Sequence, residues 1–293
     1  MLDGAEVLQL VIAGLKNGSI YALIALGFTI VYAATNVINF AQGEFYMLGG
    51  MFAVLAFDGL GLPLWAAAPL AVVIVAGIGL LFELLAIRPR QNAEPMTLII
   101  ITVGGSLVLA SLARHAFGSD ALPLPEFTPG PSLALAGAAI ERQALWIWGL
   151  TLIAVTGLSF LYSRTRLGRA MRACMQNREA ARLMGIDTGR VVTVSFGLAA
   201  ALGALAGVAV TPLTSTRFDI GAGIGVKGFA AAVLGGLGSP LAAVAGGLLL
   251  GLIEQAVIPF SSALKDVIAL VVLLTVLFIR PQGLFRRSGK EKT

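Results

Sequence analysis

Residues 36–50 read NVINFAQGEFYMLGG. Asn39, Gln42 and Glu44 stand here where one apolar run, 7–33, gives way to the next, 44–58, which Glu44 opens. Runs of about 20 apolar residues are candidates for membrane-spanning helices. Polar residues between two such runs mark one of two things. The chain either bends near the membrane surface, with polar side chains satisfying freed backbone groups, or breaks within the bilayer, where irregular backbone survives only against protein or a water-filled cavity.

On both sides of this stretch the chain stays apolar. With 58% hydrophobic residues, 12% charged residues and a mean hydropathy of +0.93, the composition is that of an integral membrane protein. No polar segment is long enough to build a separate soluble core, so residues 1–293 are expected to form a single transmembrane domain. Further apolar runs fall at 64–87, 96–116, 144–163, 191–215, 240–258 and 264–280. The expectation is an all-α polytopic bundle of eight transmembrane helices with broken or re-entrant segments. The stretch 220–237, IGAGIGVKGFAAAVLGGL, is rich in glycine and carries Lys227, and it reads as a ninth span or as a re-entrant segment.

The opening MLDGAEVLQLVIAGL carries acids instead of a basic region, and is read as mature sequence, not as a removable signal. Cys174 is the one cysteine and His115 the one histidine, which argues against a disulfide framework or a zinc centre and leaves Cys174 as a small buried residue. No metal site is expected. The 36 glycines include GALAG at 203–207 and GLLLG at 247–251, a spacing that lets helices pack closely within the chain or against a second copy.

Lys and Arg set the orientation. The loop 164–190 holds Arg164, Arg166, Arg169, Arg172, Arg178, Arg182 and Arg190 against Glu179 and Asp187, whereas 117–143 holds Asp120, Glu126 and Glu141 against Arg142. The first is therefore expected in the cytoplasm and the second outside. Arg88, Arg90 and the tail with Arg280, Arg286, Arg287, Lys290 and Lys292 join the cytoplasmic side. The basic charges sit at helix ends without aromatic interleaving, so nucleic acid is not an expected partner.

Within that loop, RLGRAMRACMQNREAARLMGIDTGRV, Asn177 can cap a helix, Glu179 suits its first turn and Gly185 can end it. Ala180, Leu183 and Met184 fall on one face beside the small Ala181. This apolar knob among arginines suits docking into another protein's groove. A basic connector lying on anionic lipid headgroups is the other reading.

NREAARLMGID at 177–187 resembles the coupling loop of ATP-binding-cassette importer permeases. GSIYALIALGFTIVYAATNVINFAQGEFYMLGG at 18–50, GGLGSPLAAVAGGLLLGLIE at 235–254 and FIRPQGLF at 278–285 resemble one branch, the branched-chain amino acid permeases of the leucine, isoleucine and valine importer type. The family stretch commonly reads NFAHGE, and Gln42 stands here where His would. Gln cannot titrate, so no proton-carrying role is expected of it. The resemblance implies a permease subunit that works with a second, similar permease, two cytoplasmic ATPases and an external substrate-binding protein.

The chain has no GxxxxGK[ST] phosphate loop, so no cofactor is expected in it and partner subunits would use the ATP. Under this reading Glu179, Ala180, Ala181, Leu183, Met184 and Gly185 couple to the ATPases. Asn39, Gln42, Glu44 and Glu254 are the candidates for the translocation pathway, while Glu83 is expected to pair with Arg88 at the interface. A secondary transporter of small polar solutes is the alternative. An intramembrane enzyme finds no support, because the spans show no Ser, His and Asp set, no HExxH and no aspartate pair. Branched-chain or other hydrophobic amino acids are the first expectation for the substrate, ahead of other amino acids, urea and aromatic acids.

Overall fold

The computed structural model describes residues 3–91, 93–261, 264–280 and 283–285. Arg286, Arg287, Lys290 and Lys292 of the basic tail lie outside the described residues.

Helix α1, Gly4–Thr35, is the axis of the bundle. Its start is a capping box. The Asp3 carboxylate accepts from the Gly4 amide at 2.7 Å, and the Glu6 carboxylate accepts from the Asp3 amide at 3.0 Å. Nearly every residue from Gly18 to Ala34 is buried, as expected of a helix that is apolar all round and lies inside a bundle. It runs antiparallel to α10, Pro240–Val257: Gly14 and Gly18 face Leu252 and Leu248, and Gly247 faces Ala22. These glycines let the two backbones approach, so the small-residue spacing of 247–251 serves packing within the chain.

α1 ends at Asn36, which takes a left-handed conformation at φ 55°, one that Asn tolerates better than most residues. α2, Gln42–Val54, then runs back and closes with a π turn, Leu55–Gly59. α3, Leu64–Phe82, extends through a π turn at Glu83–Ile87 and a 3₁₀ turn at Arg88–Arg90. α4 is Pro95–Phe117 and α5 is Arg142–Arg164. Between them lies a hairpin that the all-helical expectation lacks. β1, Leu133–Leu135, pairs antiparallel with β2, Ala138–Ile140, through Ala136 and Gly137, both at positive φ, the geometry of a tight two-residue turn.

Two short helices follow, α6 at Arg166–Gln176 and α7 at Arg178–Leu183, then α8 at Thr188–Thr214, α9 at Ile220–Gly235 and α11 at Leu264–Ile279. Among the described residues, six helices are long and apolar enough to cross a membrane: α1, α3 with its extension, α4, α5, α8 and α10. Within the glycine-rich stretch 220–237, Ile220–Gly235 form one continuous helix of 16 residues, shorter than a full span.

Two ends of the bundle can be told apart. At one, the Gln9 side chain accepts from the Ala139 amide at 2.8 Å and Lys16 pairs with Glu141 at 2.7 Å, which ties the start of α1 to the hairpin and to the start of α5. α5 carries the chain to the other end, where α6 and α7 lie. There Met175 packs on Gly238, and the Leu284 and Phe285 amides donate to the carbonyls of Leu234 and Gly235 at 2.9 and 3.1 Å. The last described residues and the 164–190 loop thus share one end, and the hairpin loop occupies the opposite one.

Candidate translocation and coupling sites

The break between α1 and α2 is held by side chains that replace helical partners. The Thr35 hydroxyl accepts from the Val37 amide at 3.1 Å, the Asn39 carbonyl oxygen accepts from the Ala41 amide at 3.1 Å, and Thr102 of α4 accepts from the Phe40 amide at 3.2 Å. Freed backbone groups in a bilayer need such partners.

Gln42 and Glu44 open α2, and both are fully buried. The Gln42 amide donates to the Ala199 carbonyl of α8 at 2.8 Å and lies against Gly27 and Gly203. Glu44 accepts from the Ser106 hydroxyl of α4 at 2.9 Å, while its second oxygen rests on Gly221 in the first turn of α9. Gly43 lies directly beneath the Gly221 carbonyl and beside Gly225. The first turns of α2 and α9 therefore meet at Glu44, and the positive ends of both helices favour its carboxylate. Three buried polar atoms in this group have no hydrogen-bond partner among the described residues: Asn39 Nδ2, Gln42 Oε1 and Glu44 Oε2. Unsatisfied atoms of this kind cost about 1–3 kcal/mol each.

Glu254 belongs to a separate cluster. Its carboxylate is fully buried, takes a hydrogen bond from the Tyr21 hydroxyl and forms an ion pair with Lys227 at 2.7 Å. The Lys227 ammonium also lies 5.9 Å from the centre of the Tyr21 ring. Glu83 is buried as well, and its partner is the Thr193 hydroxyl at 2.7 Å. No ion pair joins it to Arg88 among the described residues, because Glu83 turns towards α8.

At the other end, α7 is built by local rules. The Asn177 side chain accepts from the Ala180 amide at 2.9 Å. The helix closes with the Gly185 amide on the Arg182 carbonyl at 3.0 Å and the Ile186 amide on the Ala181 carbonyl at 3.1 Å, with Gly185 at φ +81°. This is the double-bonded glycine stop of the Schellman motif. Leu183 and Met184 are 87% and 83% exposed, and Glu179 and Ala180 are exposed beside them. Ala181 points the other way. It is buried in a cluster with Met171, Cys174 and Val192, so it fixes α7 to α6 and α8. Burial pushes the Cys174 thiol up from its ordinary range, against the lowering effect of Arg178, which keeps it protonated at neutral pH.

Sequence reasoning missed several residues of these sites. Thr102, Ser106 and Thr193 are ordinary helix residues that come to matter only through long-range contacts. Lys227 did carry a signal, a lone lysine in an apolar run, and Glu254 completes it.

The profile of the family described as branched-chain amino acid transport system / permease component matches residues 10–277. The high-affinity branched-chain amino acid transport system permease protein BraD of Pseudomonas aeruginosa is 34% identical, with 97% of both chains covered. LivH of Escherichia coli, a permease protein of the same kind, is 36% identical with 97% of both chains covered. The ribose import permease protein RbsC of Escherichia coli is more distant at 27%, covering 90% of this chain and 83% of the other. A solved structure described as an inward-facing metal-chelate type ABC transporter shares the fold, with a TM-score of 0.52 at 15% identity over 92% of this chain and 83% of the other. With the match to the family profile extending over nearly all of its length, the chain belongs to the branched-chain amino acid transport permease family.

Proposed function

We propose that this chain is the permease through which an ATP-driven importer moves branched-chain or other hydrophobic amino acids across the plasma (inner) membrane. ATP hydrolysis belongs to two separate cytoplasmic ATPase subunits. An external binding protein delivers the substrate, and a second, similar permease completes the membrane part. Substrate choice is assigned largely to the binding protein. In this reading the 164–190 loop and the C-terminus are cytoplasmic. Asn39, Gln42 and Glu44 lie by the pathway, and their unpartnered atoms can exchange hydrogen bonds with a passing polar group.

One observation carries the proposal. A helix capped at both ends presents Leu183 and Met184 to solvent from a framework of arginines. Exposed apolar side chains on a rigid, short, cytoplasm-facing helix suit a partner's groove better than they suit water.

Reconstitution with the partner subunits tests it. Proteoliposomes holding the transporter, supplied with loaded binding protein outside and ATP inside, should accumulate leucine, isoleucine or valine. A proton gradient without ATP should not. Uptake driven by the gradient alone would favour the secondary-transporter alternative.

A further inference from the structure

At the end of the bundle away from α6 and α7, a groove runs between α3 and α5 over α8. It encloses about 610 Å³ and its walls include Trp65, Val72, Phe127, Trp146 and Leu205. A hollow of about 260 Å³ continues it along α5 and α8, sharing Val72 and Leu205. At the outer mouth, Trp146 is also a wall of a third hollow of about 440 Å³, lined by Thr128 and Arg142. The shared lining residues place the three side by side, and together they are called the cleft. Its lower part has only apolar side chains, and an arginine stands at its mouth.

The mouth is well defined. The Trp146 indole donates to the Thr128 hydroxyl at 3.0 Å and its ring meets Phe127 edge-on at 5.7 Å. Trp65, in the first turn of α3, is exposed on the opposite wall. Tryptophans in this setting mark the boundary between hydrocarbon and headgroups. Arg142 precedes Trp146 by one helical turn, about 5.4 Å further from the hydrocarbon. Its guanidinium donates to the Pro131 carbonyl at 3.1 Å and has no ion-pair partner among the described residues. The neighbouring Glu141 is engaged by Lys16. A cation without a carboxylate, in the first turn of a helix, favours an anion.

We propose that this cleft is a phospholipid site, with the phosphate of an anionic lipid at Arg142 and an acyl chain in the groove between α3 and α5. An acyl chain is slender and apolar, and its headgroup supplies the negative charge that Arg142 lacks.

The test uses the assembled transporter, stripped of loosely held lipid in mild detergent and offered phosphatidylglycerol, with bound lipid counted by native mass spectrometry. One phosphatidylglycerol per copy of this chain should persist. Arg142→Gln should lower its retention about tenfold or more and Arg142→Lys by less, both without a change in assembly. Ala68→Phe, which fills the groove, should expel the lipid in a chain that keeps Arg142. Diacylglycerol of the same chain length should bind wild type weakly and Arg142→Gln equally weakly, and free glycerol phosphate should displace nothing. Equal retention in wild type, Arg142→Gln and Ala68→Phe would overturn the proposal. So would equal retention of diacylglycerol and phosphatidylglycerol by wild type. A further contrary result would be protection of Val73→Cys from a lipid-soluble maleimide in the stripped transporter, which would mean that a subunit fills the groove.

Discussion

Lys227 and Glu254 meet at 2.7 Å between α9 and α10, with the carboxylate fully buried and the Tyr21 hydroxyl of α1 on its other oxygen. Three helices are joined at one charge. Removing one member of a buried pair costs about 3 kcal/mol or more, whereas replacing both by apolar groups can be nearly neutral. Lys227→Met should therefore lower the melting temperature of the purified transporter markedly. Lys227→Met with Glu254→Leu should recover most of the loss. A single variant as stable as wild type would show that the pair does not hold the helices.

Close approach at the α2–α9 crossing depends on Gly43. A methyl group there would meet the Gly221 backbone, which cannot move aside, whereas Gly223 on the same helix faces open space. Gly43→Ala should destabilise the chain by about 1–3 kcal/mol, and Gly223→Ala should be neutral. Comparison of membrane yield and melting temperature for the two decides the point.

Glu44→Gln keeps the shape of the side chain and an oxygen for the Ser106 hydroxyl, but removes the charge at the meeting point of two helix starts. ATP-driven uptake should fall severalfold while membrane abundance stays the same. Normal uptake would assign the break a purely structural role. Gln42→Leu should reduce uptake too, and should also lower stability because the Ala199 carbonyl loses its Gln42 donor.

Local chemistry explains what was legible in advance. Asn177 and Gly185 act on their own neighbours, so the sequence order alone locates α7. Long apolar runs likewise announce helices, with ends displaced by a few residues. What escaped depends on contacts across the chain. The inward turn of Ala181 follows from packing on α6 and α8. The Glu83–Thr193 bond joins residues 110 apart, and proximity in sequence pointed to Arg88 instead. Lys227 reads as a reason to break a helix until Glu254 is seen beside it. The hairpin at 133–140 shows no alternation of polar and apolar residues, only the Gly137 of its turn.

Ala181 and Gly185 separate the folding of the loop from its docking. Ala181→Glu places a charge in the cluster of Met171, Cys174 and Val192, at a cost on the order of several kcal/mol. It should loosen α7 from α6 and α8 and expose Cys174 to maleimide. Gly185→Ala forces a side chain into a left-handed conformation at φ +81°, costing about 1–2 kcal/mol. Both should impair coupling through the loop's own structure, seen as Cys174 labelling in the first and as faster proteolysis of the loop in the second.

Leu183→Asp isolates docking itself, since the side chain is 87% exposed and belongs to no buried cluster among the described residues. The decisive measurement is the rate of ATP hydrolysis stimulated by loaded binding protein, in proteoliposomes containing all subunits. Leu183→Asp should insert and melt as wild type does, yet its stimulated rate should fall to the basal level, with loss of ATPase co-purification. Wild-type stimulation in Leu183→Asp would contradict the assignment of α7 as the element that passes ATPase closure to the membrane helices.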